Sequence, residues 1–284
     1  MTINSKDMLL KELESFIEED IGYNDVSCSI VPDHRVQAEV VSNEDGIAAG
    51  ISEAAQIFEY FDILATTDLT EGSAIKKDDT IFTLDGGARS ILRAERLALN
   101  FLGRMSGIAT LTRRYVDRAN GVRIAGTRKT TPGFRKFEKK AVIAGGGDPH
   151  RFNLSDTVMI KDNHIAVLGL ERAVSAARER ASFTQKIEVE VEDMASAIHA
   201  AEMGADIIMF DNMAADEIEK TIKTLADRGI RDGIILEASG GISLENIGDY
   251  ARTGIDVISL GALTHSSRWL DISLRIKQIQ RTEK

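Results

Sequence analysis

From residue 122 onward the chain repeats one pattern: a short run rich in β-branched and apolar residues, a polar end, then a longer stretch with helical periodicity. The runs VRIAGTRKT, TVMIKDNH, KIEVEVED, DIIMFDNM, IILEASGG and DVISLGALTH start roughly 20 to 35 residues apart, a spacing suited to parallel strands joined by crossover helices. The periodicity predicts helices over 170–181, 193–203, 214–228 and 243–253. Runs this continuous in apolar residues belong to a sheet covered on both faces. Each also ends on a reactive or phosphate-friendly group: Arg128 and Lys129, Lys161, Glu190, Asp211, Ser239 with Gly240 and Gly241, then Gly261. Strand C-terminal ends converge on one mouth in an α/β barrel, so a barrel is the fold expected. A doubly wound nucleotide-binding sheet would place its glycine fingerprint after an early strand, whereas these glycine turns come last.

The first part reads differently. Residues 8–19 form an amphipathic helix, with Leu9, Leu10, Leu13, Phe16 and Ile17 opposite Glu12, Glu14, Glu18 and Glu19. Strands are predicted over 36–41 and 80–84, and a long helix over 89–118, interrupted or bent near Ser106-Gly107. Residues 1–120 are thus expected to form a separate α+β domain and residues 121–266 the barrel. A last helix over 267–280, within the segment 267–284, is expected to pack back on the first domain.

Composition narrows the chemistry. The 284 residues carry 35 basic and 45 acidic side chains, a net charge of -10, which argues against a nucleic-acid partner, since such proteins offer a broad basic face to phosphate. No apolar run approaches the ~20 residues needed to span a bilayer, and the first ten residues lack a signal-peptide pattern, so a cytosolic protein without a membrane partner is expected. The one cysteine, Cys28, excludes an intrachain disulfide and a cysteine-rich metal site. It reads as a packed small apolar side chain.

Against this acidic background, residues 127–164 concentrate positive charge. Arg128, Lys129, Arg135, Lys136, Lys139, Lys140, Arg151 and Lys161 face only Glu138, Asp148, Asp156 and Asp162. A local anion is the natural counterpart. Thr127-Arg128-Lys129 opens a hydroxyl-rich turn in which Arg128 can grip a carboxylate through two parallel hydrogen bonds and Lys129 acts as a point charge. The triple glycine 145–147 is expected to let backbone amides approach the anion. Four cations over 135–140 read as a solvated helix face. His150 and Arg151 follow on a loop facing the same mouth. Lys161 lies inside an apolar run, so its charge must meet a carboxylate, a carbonyl or a substrate oxygen; an ion pair with Glu190 or Asp211 is the bland alternative. Glu188, Glu190 and Glu192 share one strand face, and the mouth-proximal Glu190 or Glu192, with Asp211, could hold magnesium through oxygen ligands. Ser239-Gly240-Gly241 and Leu260-Gly261-Ala262 supply amides and a hydroxyl for one phosphate group.

Taken in order, the segments EDIGYNDVS, ERLALNFLGRMSGIAT, TRKTTPG, GGGDPHR, LSDTVMIKDNH, EVEVED, FDNM, EASGGI and SLGALTHS resemble the quinolinate phosphoribosyltransferases. The chain departs from the family's commonest form at Gly126, where many members carry Asp, and at Asp148-Pro149. The resemblance implies an incomplete α/β barrel beside an N-terminal α+β domain, in a homodimer or an assembly of dimers. It implies that quinolinate and phosphoribosyl pyrophosphate give nicotinate mononucleotide, pyrophosphate and carbon dioxide, with magnesium required, in de novo NAD biosynthesis. Residue by residue it implies that Arg128, His150 and Arg151 bind the quinolinate carboxylates, with Thr127 beside them and Lys129 and Lys161 at the junction of the substrates. Glu190 and Asp211 would meet the ribose hydroxyls and the metal; Lys129, Lys161, Glu190 and Asp211 are the catalytic set. Ser239, Gly240, Gly241, Leu260, Gly261 and Ala262 would hold the 5′-phosphate, with His265 close by. Arg96 would enter the neighbouring subunit's site. A sister phosphoribosyltransferase for another acid and a non-catalytic phosphometabolite-binding barrel are the competing readings.

Overall fold

Alternating apolar residues build the first sheet of the structure, a computed structural model that describes residues 5–23, 25–32 and 34–279. The chain divides into two units, residues 1–110 with 267–284, and residues 111–266. In the first, helix α1 (Ser5–Ile21) is followed by β1 (Arg35–Ser42), β2 (Gly46–Ile47), α2 (Ile51–Tyr60), β3 (Leu64–Thr66), β4 (Ala74–Ile75), β5 (Thr80–Gly87) and α3 (Ala88–Arg118). The division falls inside α3. Val36, Ala38 and Val40 of β1 are buried, as are Ile81, Phe82 and Leu84 of β5 and Ile57 and Phe58 of α2. Phe58 meets Phe82 edge to face at 5.6 Å, and Phe16 of α1 meets Phe101 of α3 at 5.4 Å. Cys28 is buried, and burial, then the neighbouring Asp25, push its thiol up to about 11, which suits a packing residue.

Two expectations for this unit are corrected. Helix α3 is uninterrupted through Ser106 and Gly107. Gly107 serves close approach: a Cβ there would lie 2.0 Å from the Arg268 carbonyl oxygen. The helix predicted over 267–280 is instead a strand, β12 (Ile272–Ile279), pairing antiparallel with β1, so that the sheet order is β12-β1-β5-β3. Ile272, Leu274 and Ile276 alternate with Ser273, Arg275 and Lys277, and that period of two outweighs the helix-compatible charges. Gln280 lies outside the described residues.

The second unit follows the strand and helix grammar read from the sequence. It runs β6 (Arg123–Ala125), α4 (Arg135–Ala144), β7 (Val158–Ile160), α5 (Asp162–Leu168), α6 (Leu170–Arg180), β8 (Ile187–Val191), α7 (Met194–Glu202), β9 (Ile207–Asp211), α8 (Ala215–Asp227), β10 (Ile235–Ser239), α9 (Ile247–Ala251), β11 (Val257–Ser259) and α10 (Ala262–His265). Its six strands form one parallel sheet in the order β6-β11-β10-β9-β8-β7. The two outer strands do not pair, although an isolated bridge from Ala125 to Asp148 extends the β6 edge. The C-terminal ends of all six strands nevertheless line one cavity, so the sheet curls into an incomplete barrel.

Candidate active site

Pairing register decides which side chains enter the barrel. Glu188 pairs with Ile207, Glu190 with Met209, Met209 with Glu237, and Asp211 with Ser239, which pairs with Ser259. Because side chains alternate along a strand, Glu188 and Glu190, Met209 and Asp211, and Glu237 and Ser239 all point inward, in layers. The upper layers line a cavity of about 390 Å³ formed by Gly126, Thr127, Arg128, Lys129, His150, Arg151, Met159, Lys161, Glu190, Met209, Asp211, Ser239 and Ser259. Glu192 is exposed and outside this wall.

The cavity is basic on one side and acidic on the other. The Arg128 Nε is buried with no protein partner, so the guanidinium keeps donor capacity for a ligand. The Arg151 guanidinium donates to the Thr157 carbonyl at 3.3 Å, which aims it. Lys161 forms an ion pair with Glu190, one of the two pairings anticipated from its apolar strand. The N–H of Lys161 donates to His164 Nδ1 at 3.1 Å, so the histidine ends the strand and starts α5. Asp211 accepts from Asn212 Nδ2 at 2.8 Å, and a Cβ on Gly240 would sit 2.2 Å from Asn212 Oδ1. Gly240, at φ +85°, therefore makes room for the group that orients Asp211.

Beneath the cavity lie two buried carboxylates, Glu188 and Glu237, with Glu188 fully inaccessible and neither of its oxygens hydrogen-bonded. Burial, then the charge of Glu237, push the Glu188 carboxyl up to about 8. His150 Nε2 stands 3.3 Å from Glu237 and 4.0 Å from Glu188. Burial opposes a charged imidazole, but the Glu237 hydrogen bond and the two carboxylate charges outweigh it and lift His150 above its ordinary value. The three groups offer ligand atoms within 4.8 Å of one another, a spacing open to a metal. The Arg151 N–H, however, donates to His150 Nδ1 at 2.8 Å, leaving the ring proton on Nε2 toward Glu237. That nitrogen is a hydrogen-bond donor to Glu237 here, and Glu188 lies beside the pair at ion-pair distance without a hydrogen bond.

Comparison with known proteins places this cavity in context. Residues 108–275 match the quinolinate phosphoribosyl transferase C-terminal domain and residues 23–106 the N-terminal domain. The chain belongs to the quinolinate phosphoribosyltransferase family. It is 46% identical over 275 residues to a probable nicotinate-nucleotide pyrophosphorylase [carboxylating] of Methanothermobacter thermautotrophicus, covering 94% of this chain and 99% of the relative. It is 38% identical over 269 residues to the Homo sapiens nicotinate-nucleotide pyrophosphorylase [carboxylating], covering 93% and 90%. Among solved structures, NadC from Streptococcus pyogenes superposes with a TM-score of 0.89 at 37% identity, covering 98% of this chain and 100% of that one.

In this quinolinate phosphoribosyltransferase fold, nine of the residues singled out from sequence share the cavity wall: Thr127, Arg128, Lys129, His150, Arg151, Lys161, Glu190, Asp211 and Ser239. Gly240, Gly241, Leu260, Gly261, Ala262 and His265 stand outside it. Gly261 is nonetheless tight against the site, since a Cβ there would lie 2.9 Å from Lys129 Cδ and 3.0 Å from His265 Nε2. Leu260 is buried and its N–H donates to the Ala125 carbonyl at 2.9 Å, so it has no amide to offer a phosphate. Arg96 lines a different cavity of about 370 Å³, with Asp20, Ile21, Asp25, Val26, Leu92 and Arg93.

The triple glycine is not an anion cradle. The N–H groups of Gly145, Gly146 and Gly147 donate to Ala141, Ile143 and Val142 and close the end of α4. Gly147 also allows tight packing, since a Cβ would lie 2.8 Å from Thr112 Cγ2. Nor are the α4 cations all solvated: Lys139 is 1% exposed. Sequence reading passed over Met159, Met209 and Ser259 in the wall and Glu237 below it, named Gly126 only as a departure from the family's form, and placed Glu188 on the shared strand face without giving it a role. The period of two was the available signal, because Met159, Glu188 and Glu237 each precede a singled-out residue by two positions.

Proposed function

We propose that this protein transfers the phosphoribosyl group of phosphoribosyl pyrophosphate to quinolinate with decarboxylation, giving nicotinate mononucleotide, pyrophosphate and carbon dioxide. It does so in the cytosol, in a homodimer with shared sites. The observation that carries the reading is the convergence of Arg128, Lys129, Arg151 and Lys161 with Glu190 and Asp211 on one cavity. A dicarboxylate needs the first group, and a ribose that becomes electron-poor needs the second.

Arg128 and Arg151 bind the two carboxylates, and His150 holds the Arg151 backbone from behind rather than donating to the acid. Lys129 and Lys161 lie between the acid and the ribose. Glu190 and Asp211 meet the ribose hydroxyls and favour the positive charge that develops at C1 as pyrophosphate leaves. The pyridine nitrogen donates its lone pair to C1 from the opposite face, an attack favoured mainly by positioning, where effective molarities reach ~10⁵ to 10⁸ M. The alkylated, cationic ring then accepts the electrons left at C2 by departing carbon dioxide, and a proton takes the vacated position. Glu190 and Asp211, oxygen donors on one inward face of adjacent strands, fit magnesium, which when bound would neutralise pyrophosphate charge. Ser239, Gly240, Gly241, Gly261 and Ala262 hold the 5′-phosphate beside His265. Arg96 completes the other subunit's site.

The deciding experiment measures carbon dioxide release from quinolinate with phosphoribosyl pyrophosphate and magnesium, against turnover of nicotinate. Release from quinolinate is expected; preference for nicotinate overturns the reading.

A further inference from the structure

Helix α4 has no residue in the cavity wall, yet one of its faces holds both cationic loops. Arg135 donates to Thr130 Oγ1 at 3.0 Å and to the Phe152 carbonyl at 3.1 Å. Glu138 accepts from the N–H of Thr131 at 3.0 Å and from its hydroxyl at 2.9 Å. Lys139, between them, donates to the Pro149 carbonyl and stands 5.4 Å from the Phe152 ring centroid. Spacings of three and four residues put these side chains on one face, turned toward the 128–131 and 149–152 loops.

The placement of Lys139 is costly. Burial, then the nearby Arg135 and, more weakly, Arg128, bring its ammonium down to about 8, with Asp148 and Asp156 acting the other way. The loop it holds is also strained: His150 has φ +55°, a left-handed conformation disfavoured for a residue with a Cβ. The His150 N–H donates to Asp148 Oδ1 at 2.7 Å, and Nδ1 of its ring accepts the Arg151 N–H. The backbone from Asp148 to Arg151 is therefore fixed at each residue, and the Pro149 carbonyl is the point at which Lys139 anchors it.

We propose that Lys139 is a positioning residue for acid binding: its hydrogen bond to the Pro149 carbonyl keeps His150 in the left-handed conformation that aims Arg151 into the cavity. The proposal rests on the reading of the cavity as a site for a dicarboxylic acid. A replacement without a donor leaves the half-buried Pro149 carbonyl unpaired, and the loop relaxes toward water to satisfy it.

The test compares full-length wild type, Lys139→Met and Lys139→Gln, the glutamine keeping a donor for Pro149. Steady-state constants are measured separately for quinolinate and phosphoribosyl pyrophosphate, alongside thermal midpoints. Lys139→Met is expected to raise KM for quinolinate on the order of 30-fold, while KM for phosphoribosyl pyrophosphate moves less than about twofold. Lys139→Gln should recover part of the loss. An unchanged quinolinate KM in both variants overturns the proposal, as does a parallel rise in both KM values with a fall in thermal midpoint. Failure of both variants to yield folded protein assigns Lys139 to general stability and also overturns it. Wild type that does not turn over quinolinate refutes the functional reading itself, which separates the two failures.

Discussion

Replacing Glu188 by glutamine should make the protein more stable above neutrality, and by an amount that depends on pH. The carboxyl is fully buried, has no hydrogen-bond partner, and holds its proton up to about 8 against an ordinary 4.5. The folded state therefore retains, between those values, a proton that the unfolded chain has released. Stability from this group is fully present below 4.5, declines as pH rises, and is gone above about 8. The difference corresponds to a loss on the order of 3–5 kcal/mol across the window, shared with the adjacent Glu237. Glu188→Gln removes the titrating proton without changing shape, so the variant should match wild type at about pH 5 and exceed it by about 3 kcal/mol at about pH 8.5. Urea denaturation at both pH values measures this. Far-UV circular dichroism is the suitable signal, because the single tryptophan, Trp269, belongs to the other unit. An advantage of equal size at both pH values would show that Glu188 does not titrate in this window. A variant less stable than wild type at the higher pH would mean that the carboxylate is compensated after all.

Other outcomes follow from geometry. Gly107→Ala drives a methyl group against the Arg268 carbonyl and should lower stability by about 2–4 kcal/mol in the same denaturation assay. Lys161→Met and Glu190→Gln should each lower kcat/KM about 100-fold or more, and the double variant should fall little further, because each leaves the other's charge unpaired. Arg96→Ala mixed with Lys161→Ala should regain activity through dimers with one intact site; no recovery after demonstrated subunit exchange counts against a shared site.

Sequence periodicity exposed the barrel strands because each buries both faces and stops at a charged or glycine-rich end. It exposed Arg128, Lys161, Glu190 and Asp211 for the same reason, since a strand end is a position with a known direction. Loop and helix roles were harder to read. Lys139 looked like the exposed Lys136 because burial of a lysine depends on what lies across the helix, here a carbonyl ten positions later in the chain. Gly145 to Gly147 carried the composition of an anion site, but the amides were already taken by the helix end they close. The segment after Trp269 alternates clearly, yet its partner β1 lies more than two hundred residues earlier, and nothing local names it.

That last pairing bears on how the polypeptide matures on the ribosome. Strand β1 is synthesised early but takes β12 as a neighbour, and β12 is made only after every strand of the barrel. The barrel can gather its own sheet as soon as β11 emerges, whereas the first unit waits with one side of β1 unpaired. An unpaired strand side is a template for other chains. The part that begins first is thus completed last, and chaperone dependence or loss through early termination should concentrate there.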